Sequence, residues 1–326
     1  MTLIVAEMSA SHCGSLAKAI EIIHTAKRCG ADAVKLQTFS PEGLCADPDY
    51  IIEKGPWAGD KLIDLYKCCH TPKSWHRQLF DLAKDIGITL FSTPFQPSDV
   101  DFLEALDCPM YKIASFEIIH LPLIEHAAKT GKPLIMSTGM ATHLEISRAV
   151  VRARQGYMSA GGGWDITLLH CVSEYPAKPS QTNLIRMQDL KHWSHQKVGI
   201  SDHSLGSEIP ALAVAAGATM IEKHLCLSKE GPDAKFAMLP TEFKAMVDRV
   251  RRVERVMGDR PIYSSNFDHA PLRPSLYYAK DVSVGDRLTR DHFKVARPAL
   301  GAHPSTLFDL IGTKAKKWGK KGDPVC

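Results

Sequence analysis

Two histidines and two lysines stand in or directly after short apolar runs, where they could act together on an anionic substrate. The runs VGISDH and MIEKHL carry His203 and His224, and the runs AVKLQT and MYKIAS carry Lys35 and Lys112. Imidazole nitrogen is a ligand for Mn²⁺, Fe²⁺, Co²⁺ or Zn²⁺, and lysine supplies a point charge to phosphate or carboxylate oxygens. These residue types together predict metal-assisted chemistry on an anion.

The elements that must position these residues are apolar, β-branched runs that alternate with helical patterns. The runs are LIVAE, AVKLQT, TLFSTP, MYKIAS, PLIMST, ITLLHC, VGISDH and MIEKHL. Eight strand–helix units within roughly 250 residues have the size of a (β/α)8 TIM barrel, an α/β fold. A doubly wound open sheet is the rival architecture, but no GxGxxG motif follows any of the runs.

The carboxyl ends of the predicted strands are unusually polar, and a barrel places its reactive groups there. These positions are Glu7, Lys35, Gln37, Ser92, Thr93, Lys112, Ser115, Glu117, Ser137, Thr138, His170, Ser173, Tyr175, Ser201, Asp202, His203, Glu222 and His224. The lysines and hydroxyls at one mouth predict an anion site. The alternative is that Lys35 and Lys112 form structural ion pairs with Glu7 and Glu117.

His203 and His224 end neighbouring strands of the predicted barrel. Both imidazoles could therefore reach one divalent ion, with water and substrate as the other ligands. The alternative is that each is a hydrogen-bonded core histidine. Their positions at adjacent strand ends favour the metal site.

Two segments interrupt the alternation. Residues 40–72 form an insertion after the second strand, and its Trp57 and Tyr66 predict an ordered flap over the barrel mouth. Residues 259–272 are rich in Pro, Ser and Asp and lack periodicity, which predicts a linker. The predicted domains are therefore a barrel over 1–258 and a small module over 273–326.

Composition excludes several classes of protein. A net charge of +4 without an arginine-rich arm argues against nucleic-acid binding. No stretch has the length of a membrane span or of a signal h-region, so no membrane partner is expected. Nine scattered cysteines without a CxxC motif predict reduced thiols and a cytoplasmic location.

The motifs AEMSASHCGSL, VKLQT, FSTPF, YKIASFE, IMSTGM, LLHCVSEYPA, VGISDHSLG and IEKHL occur in this order, followed by RPALG and LFDLIG. This series resembles the sialic acid synthase family over essentially the whole chain. Within that family AEMSASH, ASFE and GAHP are most similar to the pseudaminic acid branch. The resemblance implies a TIM barrel joined to a small antifreeze-like (SAF) domain, and a domain-swapped homodimer in which that domain caps the partner's barrel.

The activity implied by the resemblance is condensation of phosphoenolpyruvate with an N-acetylated amino-sugar aldehyde, which yields a nine-carbon 2-keto sugar acid and phosphate. For the pseudaminic branch the aldehyde is 2,4-diacetamido-2,4,6-trideoxy-L-altrose. The alternatives are N-acetylneuraminate or legionaminate synthesis from another amino sugar, and a sugar- or phosphate-binding protein without turnover. A metal-dependent barrel aldolase or isomerase would not need the small C-terminal module.

The resemblance also implies roles for individual residues. The catalytic residues are Glu7, His203 and His224, and the two histidines hold a divalent metal, for which we expect Mn²⁺. Phosphoenolpyruvate is held by Lys35, Thr93, Lys112, Ser115, Ser137 and Ser201. The sugar is held by Glu117, Tyr175, Asp233 and Arg297, the last of which reaches over from the partner's small domain.

The sequence departs from the family pattern at a few positions. Ser11 and Ser173 stand where asparagine is usual, which puts polar contacts in question. Ala299 and Leu300 interrupt an expected RPGxG, and an alanine in place of glycine would restrict the backbone beside Arg297 if φ were positive there. Glu7 is expected at the barrel mouth, whereas His12 in the same turn is expected to orient its neighbours or pack beneath the site.

Overall fold

All eight apolar runs form strands in the computed structural model, which describes residues 1–55, 57–258 and 270–326. The strands are β1 (Leu3–Glu7), β2 (Ala33–Thr38), β3 (Thr89–Pro94), β4 (Tyr111–Ile113), β5 (Leu134–Ser137), β6 (Ile166–Cys171), β7 (Lys197–Asp202) and β8 (Met220–His224). They neighbour one another in chain order, all parallel, and β8 pairs back to β1. The predicted (β/α)8 TIM barrel is confirmed.

Helices follow the strands along the chain. They are α1 (Leu16–Arg28), α2 (Pro41–Leu44), α3 (Leu62–Cys69), α4 (Lys73–Asp85), α5 (Pro97–Glu104), α6 (Leu121–Lys129), α7 (His143–Ser159), α8 (Pro179–Thr182), α9 (Ile185–Ser194), α10 (Glu208–Ala215) and α11 (Pro240–Met257). Capping side chains mark where two of these helices begin. The Ser15 hydroxyl accepts a hydrogen bond from the backbone N–H of Lys18 at the start of α1. Thr142 and Glu145 form a capping box at the start of α7.

The strand register determines which side chains meet at the mouth. Glu7 on β1 is level with Lys35 on β2 and with His224 on β8. Because side chains alternate along a strand, Glu222 and His224 share one face of β8 and Lys223 lies on the other. The fully buried Lys223 therefore belongs to the layer between the barrel and its helices.

The insertion after β2 has its own secondary structure. The helices α2 and α3 lie within it, and an antiparallel bridge joins Ile51 to Lys61. Residues 40–72, without Pro56, which lies outside the described residues, are called the flap below.

The chain divides after Gly258 into two compact units. Of the predicted linker 259–272, residues 259–269 lie outside the described residues and Ala270–Leu272 form a short 3-10 helix. The second unit contains the antiparallel strands β9 (Ser275–Tyr278) and β10 (Phe293–Ala296) and the helix α12 (Leu307–Leu310). Its own core includes Leu276, Val282 and Leu288. Within the ranges that the structure describes, no helix combines the length and apolar character needed to cross a bilayer.

Candidate active site

The carboxyl ends of the barrel strands surround a cavity of about 780 Å³. Most of the predicted site residues line it: Glu7, Lys35, Lys112, Ser115, Glu117, Ser137, Tyr175, Ser201, His203, His224 and Asp233. Thr93 lies next to the cavity, where its hydroxyl accepts a hydrogen bond from Lys35 Nζ at 3.1 Å. The remaining one, Arg297, belongs to the second unit.

Four buried charges form the floor of the cavity. Lys35 Nζ lies 2.6 Å from Glu7 Oε2, and Lys112 Nζ lies 3.0 Å from both carboxylate oxygens of Glu222. Lys35 also lies 3.9 Å from Glu222. The alternative of structural ion pairs is thus present in part: Lys35 pairs with Glu7, but Lys112 pairs with Glu222 and not with Glu117. The cause is barrel closure, which brings β8 opposite β4.

Burial and the opposite charges of the floor shift the pKa values of Lys35, Lys112 and Glu222. Burial opposes the positive charge of Lys35, but the Glu222 and Glu7 carboxylates outweigh it and raise the pKa of Lys35 above its ordinary value. Burial lowers the pKa of Lys112, against the attraction of Glu222. Burial also disfavours the Glu222 carboxylate, but Lys112 and Lys35 prevail and lower its pKa. Each ammonium keeps donor capacity for an incoming anion.

Besides Glu7 Oε2, which is in the ion pair with Lys35, three polar atoms at the cavity have no hydrogen-bond partner among the described residues. They are Ser137 Oγ, Ser173 Oγ and Glu117 Oε2. A buried polar group without a partner costs free energy, so such atoms mark where a ligand supplies the missing hydrogen bond. Gly139 lies against Ser173, because a Cβ at this position would collide with the Ser173 hydroxyl.

The two histidines face each other across neighbouring strand ends, with ring centroids 5.6 Å apart. His203 Nδ1 lies 2.8 Å from the Val172 carbonyl oxygen, and His224 Nδ1 lies 3.3 Å from Asp233 Oδ2. Nδ1 therefore acts as the donor in each ring, which leaves the Nε2 lone pairs for a ligand. Burial and the neighbouring His224 lower the pKa of His203 to about 3, so this imidazole is neutral at pH 7.

This donor set fits a divalent transition metal. Neutral imidazoles whose Nδ1–H groups are held by a carbonyl and a carboxylate are the usual form of metal-ligating histidines. In the part of the chain that the structure describes, no three His, Cys, Asp or Glu side chains are grouped to hold an ion. An ion on His203 and His224 would thus need water or substrate oxygens as its further ligands.

The Asp233 carboxylate links His224 to the 3-10 helix that follows β1. Its Oδ2 accepts hydrogen bonds from His224 Nδ1 and, at 3.1 Å, from the backbone N–H of Ala10. The residue lines the cavity, as its predicted contact with the sugar requires, but the hydrogen-bond partner of its carboxylate is His224. The sequence pattern did not indicate this connection.

His12 is buried and is not among the residues that line the cavity. It ends the 3-10 helix Ser9–His12, is fully buried, and packs edge-on against Trp75 at 5.5 Å between ring centroids. Its Nδ1 accepts from the backbone N–H of Gly14 at 3.0 Å. Ser11 is buried in the same turn, and its hydroxyl has no partner among the described residues.

Glu117 is the one predicted sugar contact that carries a strongly shifted carboxyl group. It lies in the 3-10 helix Phe116–Ile119 after β4, and burial raises its pKa to about 7, against the weaker pull of Lys112. At neutral pH its carboxyl group is therefore close to half protonated and can either donate or accept a proton.

Aromatic side chains line the cavity from the histidines outward to the flap. The Tyr175 ring lies 4.2 Å from the His203 ring, 5.0 Å from Phe236 and 5.9 Å from Trp57 of the flap, measured between centroids. Further flap residues that line the cavity include Leu44, Ile52, Leu62, Leu65 and Tyr66. The expected flap over the barrel mouth is confirmed.

Two residues of the site were not given a role from the sequence. Glu222 was recognised only as a strand end, although its spacing of two from His224 indicates the same face of β8. It connects Lys112 with Ser201, whose hydroxyl donates to it at 2.9 Å. Gln37, also at a strand end, donates to Glu7 Oε1 at 3.1 Å and so orients the first carboxylate of the site.

In the second unit, Arg297 is exposed and directly follows β10. Ala299 does not have a positive φ, so the backbone restriction expected from alanine at this position is absent. The carbonyl oxygen of Pro298 accepts from the hydroxyls of Ser275 and Tyr277 at 2.9 and 2.6 Å. These two hydrogen bonds hold the segment after β10, which contains Arg297 and Pro298, to strand β9.

Comparison with known proteins gives one consistent result. The chain is 41% identical to the pseudaminic acid synthase of Helicobacter pylori, over 99% of this chain and 96% of that protein. It is 34% identical to the N,N'-diacetyllegionaminic acid synthase of Legionella pneumophila, over 95% of this chain and 89% of that one. The solved N-acetylneuraminic acid synthetase of Leptospira borgpetersenii, in complex with citrate, matches with a TM-score of 0.73 and 30% identity, over 81% and 88% of the two chains.

Two family models also match. The SAF domain model matches residues 273–325, the range of the predicted small module. The NeuB family model matches residues 22–261 and thereby covers most of the barrel. The chain belongs to the NeuB family.

Proposed function

We propose that this protein condenses phosphoenolpyruvate with 2,4-diacetamido-2,4,6-trideoxy-L-altrose to form pseudaminic acid and phosphate. One observation carries the proposal: two buried lysines and a pair of histidines oriented by hydrogen bonds at Nδ1 line the same cavity. The lysines suit an anion, and the histidines suit a metal that activates an aldehyde. The 41% identity to a pseudaminic acid synthase supports the choice of sugar.

Phosphoenolpyruvate is held in this proposal by charges and hydroxyls of the cavity floor. Lys35 and Lys112 supply positive charge, and the Ser137 hydroxyl, which has no partner among the described residues, supplies a donor. Ser201 is expected at the same anion, and its hydroxyl donates to Glu222 beside Lys112. Thr93 accepts from Lys35 and so fixes the position of its ammonium. Ser115 lies at the same wall, where its Oγ is 3.0 Å from Cys171 Sγ.

His203 and His224 hold a divalent ion, with Mn²⁺ as the expected one. When bound, such an ion polarises the carbonyl oxygen of the open-chain aldehyde and makes its C1 more electrophilic. Asp233 keeps His224 in the ligating tautomer through the contact at Nδ1. Val172 does the same for His203 through its carbonyl oxygen.

The reaction forms one carbon–carbon bond and breaks one carbon–oxygen bond. C3 of phosphoenolpyruvate attacks C1 of the aldehyde, and water adds to the electron-poor C2. Glu7, held between Lys35 and Gln37, is positioned to take the proton of that water or to stabilise the charge at C2. Glu117 in its protonated form is able to supply the proton that the new hydroxyl at C1 requires. The hydroxyl that water placed on C2 then loses its proton to the departing phosphate as the bond between C2 and the phosphate oxygen breaks, which gives the 2-keto group and free phosphate.

The proposal also assigns a sugar contact to the small C-terminal unit. Arg297 is expected to reach the N-acetyl group of the sugar in a partner subunit's barrel, within a domain-swapped homodimer. The dimer and the cytoplasmic location both stay predictions.

A panel of sugars tests the proposal. The purified protein is incubated with phosphoenolpyruvate, Mn²⁺ and either the trideoxy sugar, N-acetylmannosamine or a legionaminic acid precursor, and phosphate release and product mass are measured. Turnover of the trideoxy sugar above the others supports the proposal. Preference for another sugar identifies the related synthase, and phosphoenolpyruvate binding without phosphate release from any sugar indicates a binding protein.

A further inference from the structure

The cavity has a charged inner half and a largely apolar outer half. The inner half carries the four buried charges and the histidine pair. The outer half is formed in large part by the flap, with Leu44, Ile52, Trp57 and Leu65 among its lining side chains. Polar groups of the flap on this surface include the Lys54 ammonium and the hydroxyls of Tyr50 and Tyr66.

A chain of aromatic contacts connects the two halves. His203 contacts Tyr175 at 4.2 Å, and Tyr175 contacts Trp57 at 5.9 Å between centroids. If the C1 of the sugar lies at the histidines, a sugar that extends along Tyr175 brings its remote carbons to Trp57. The groups carried by those carbons therefore meet the flap.

Chemistry at the remote carbons distinguishes the trideoxy sugar from N-acetylmannosamine. The trideoxy sugar carries a methyl group at C6 and an acetamido group at C4, where N-acetylmannosamine carries hydroxyls. A methyl group gains from burial against an indole ring, whereas a hydroxyl without a partner loses its hydration. An apolar surface at this place thus favours the more apolar sugar.

We propose that Trp57 is a specificity-determining residue: its indole packs on the deoxy, acetamido-bearing end of the sugar and disfavours sugars with hydroxyls there. This inference rests on the proposed function. It assigns the choice of sugar to the flap, while the barrel strand ends carry the condensation itself. Burial of a single methyl group changes kcat/KM by about 10- to 200-fold, so one aromatic contact is sufficient for a measurable preference.

The test compares two substitutions at this position with a tryptophan control. Trp57→Ala removes the indole, and Trp57→Phe keeps an aromatic surface. Trp164 is 49% exposed and lies just before β6, at the amino-terminal end of the barrel strands, so Trp164→Ala is the matched control. For each variant kcat/KM is measured for the trideoxy sugar and for N-acetylmannosamine, together with the KM for phosphoenolpyruvate and the thermal unfolding midpoint.

We expect Trp57→Ala to lower kcat/KM for the trideoxy sugar by about 10- to 100-fold and to reduce its preference over N-acetylmannosamine. The KM for phosphoenolpyruvate should change by less than about twofold, because the lysines are untouched. Trp57→Phe should retain most of the preference, and Trp164→Ala all of it.

Two results would overturn the inference. An unchanged ratio of the two kcat/KM values in Trp57→Ala, even if both values fall, would show that the flap does not choose the sugar. If a folded Trp57→Ala is not obtained, an unchanged preference in Leu65→Asn, which places an amide on the same surface, has the same meaning. Failure of the parent protein to release phosphate with any sugar overturns the proposed function instead, and the inference with it.

Discussion

The Nζ atom of Lys223 lies 2.6 Å from Asp202 Oδ2, and both side chains are buried behind the strands that carry the histidine pair. Lys223 also donates to the backbone carbonyl of Ser204, and Asp202 Oδ1 accepts from the Ser204 N–H at 2.9 Å. The segment on either side of His203 is thereby fastened to β8. An ion pair outside the cavity thus holds a side chain inside it.

Removing one partner of this pair should destabilise the barrel strongly. Lys223→Met leaves the Asp202 carboxylate buried without a counter-charge, and we expect the free energy of unfolding to fall by about 3–5 kcal/mol. Chemical denaturation measures the change. The control is Lys244→Met, which breaks an exposed pair with Asp248 and should cost less than about 1 kcal/mol. A loss below about 1 kcal/mol in Lys223→Met would contradict the role of the pair.

Lys112 should determine the affinity for phosphoenolpyruvate. Lys112→Met removes one of the two cations of the floor, and we expect the Kd for phosphoenolpyruvate to rise by about 10- to 100-fold, as measured by calorimetry without the sugar. Lys197→Met, at the opposite end of the strands and paired with Asp165 at 2.9 Å, should leave the Kd unchanged. An unchanged Kd in a folded Lys112→Met variant would remove this lysine from the anion site.

Glu117 should make stability depend on pH near neutrality. Burial raises its folded-state pKa to about 7, whereas a glutamate of the unfolded chain titrates near 4.3. The folded state therefore binds the proton more tightly, so the free energy of unfolding falls as pH rises from about 4.3 to about 7. Glu117→Gln removes this loss. The variant should match the parent at pH 4 and exceed its free energy of unfolding by about 1–3 kcal/mol at pH 8.

The control for this effect is a glutamate whose pKa moves the other way. A hydrogen bond from Lys129 lowers the pKa of Glu125, so Glu125→Gln should not raise the unfolding midpoint at pH 8. Thermal unfolding at several pH values between 4 and 8 separates the two variants. A Glu117→Gln midpoint that runs parallel to the parent's across this range would show that Glu117 is not the titrating group.

The barrel could be predicted from the sequence because each strand appears as a short, local pattern of residues. The predicted runs for β1, β2, β3 and β6 coincide with the strands to the residue. The alternation of apolar runs with capped helices is also local, and eight such units leave few other folds. Polar residues at the strand ends were identifiable as the candidate site on the same grounds.

Side-chain pairing across the barrel was not predictable in this way. Lys112 and Glu222 are 110 residues apart, and their ion pair exists only because β4 and β8 face each other in the closed barrel. Glu117, close to Lys112 in sequence, was the natural but wrong choice of partner. Asp233 likewise reaches His224 through an irregular segment for which the pattern gives no geometry. Periodicity predicts which face of a strand a side chain occupies, but it does not predict which side chain it meets across the barrel.

Asp233 should tune metal binding through His224. Asp233→Asn weakens the charge-assisted contact to His224 Nδ1, and we expect the affinity for Mn²⁺ to fall by about 10- to 100-fold. Calorimetric titration of the metal-free protein measures this without turnover. Glu230→Gln changes an exposed carboxylate of the same segment and is the control. Equal Mn²⁺ affinity in Asp233→Asn and the parent would show that the carboxylate does not support a metal ligand.

Arg297 and the histidine pair should complement each other between subunits if the predicted swapped dimer forms. Arg297→Ala leaves an intact barrel, and His224→Ala leaves an intact small domain, so each variant alone should be nearly inactive. In an equal mixture with free exchange about half of the dimers are hybrids, and each hybrid has one complete site, so about a quarter of the parent activity should return. Mixing His203→Ala with His224→Ala, two lesions of the same barrel, should restore none. Hybrid dimers detected by mass spectrometry without any regained phosphate release would contradict a site shared between subunits.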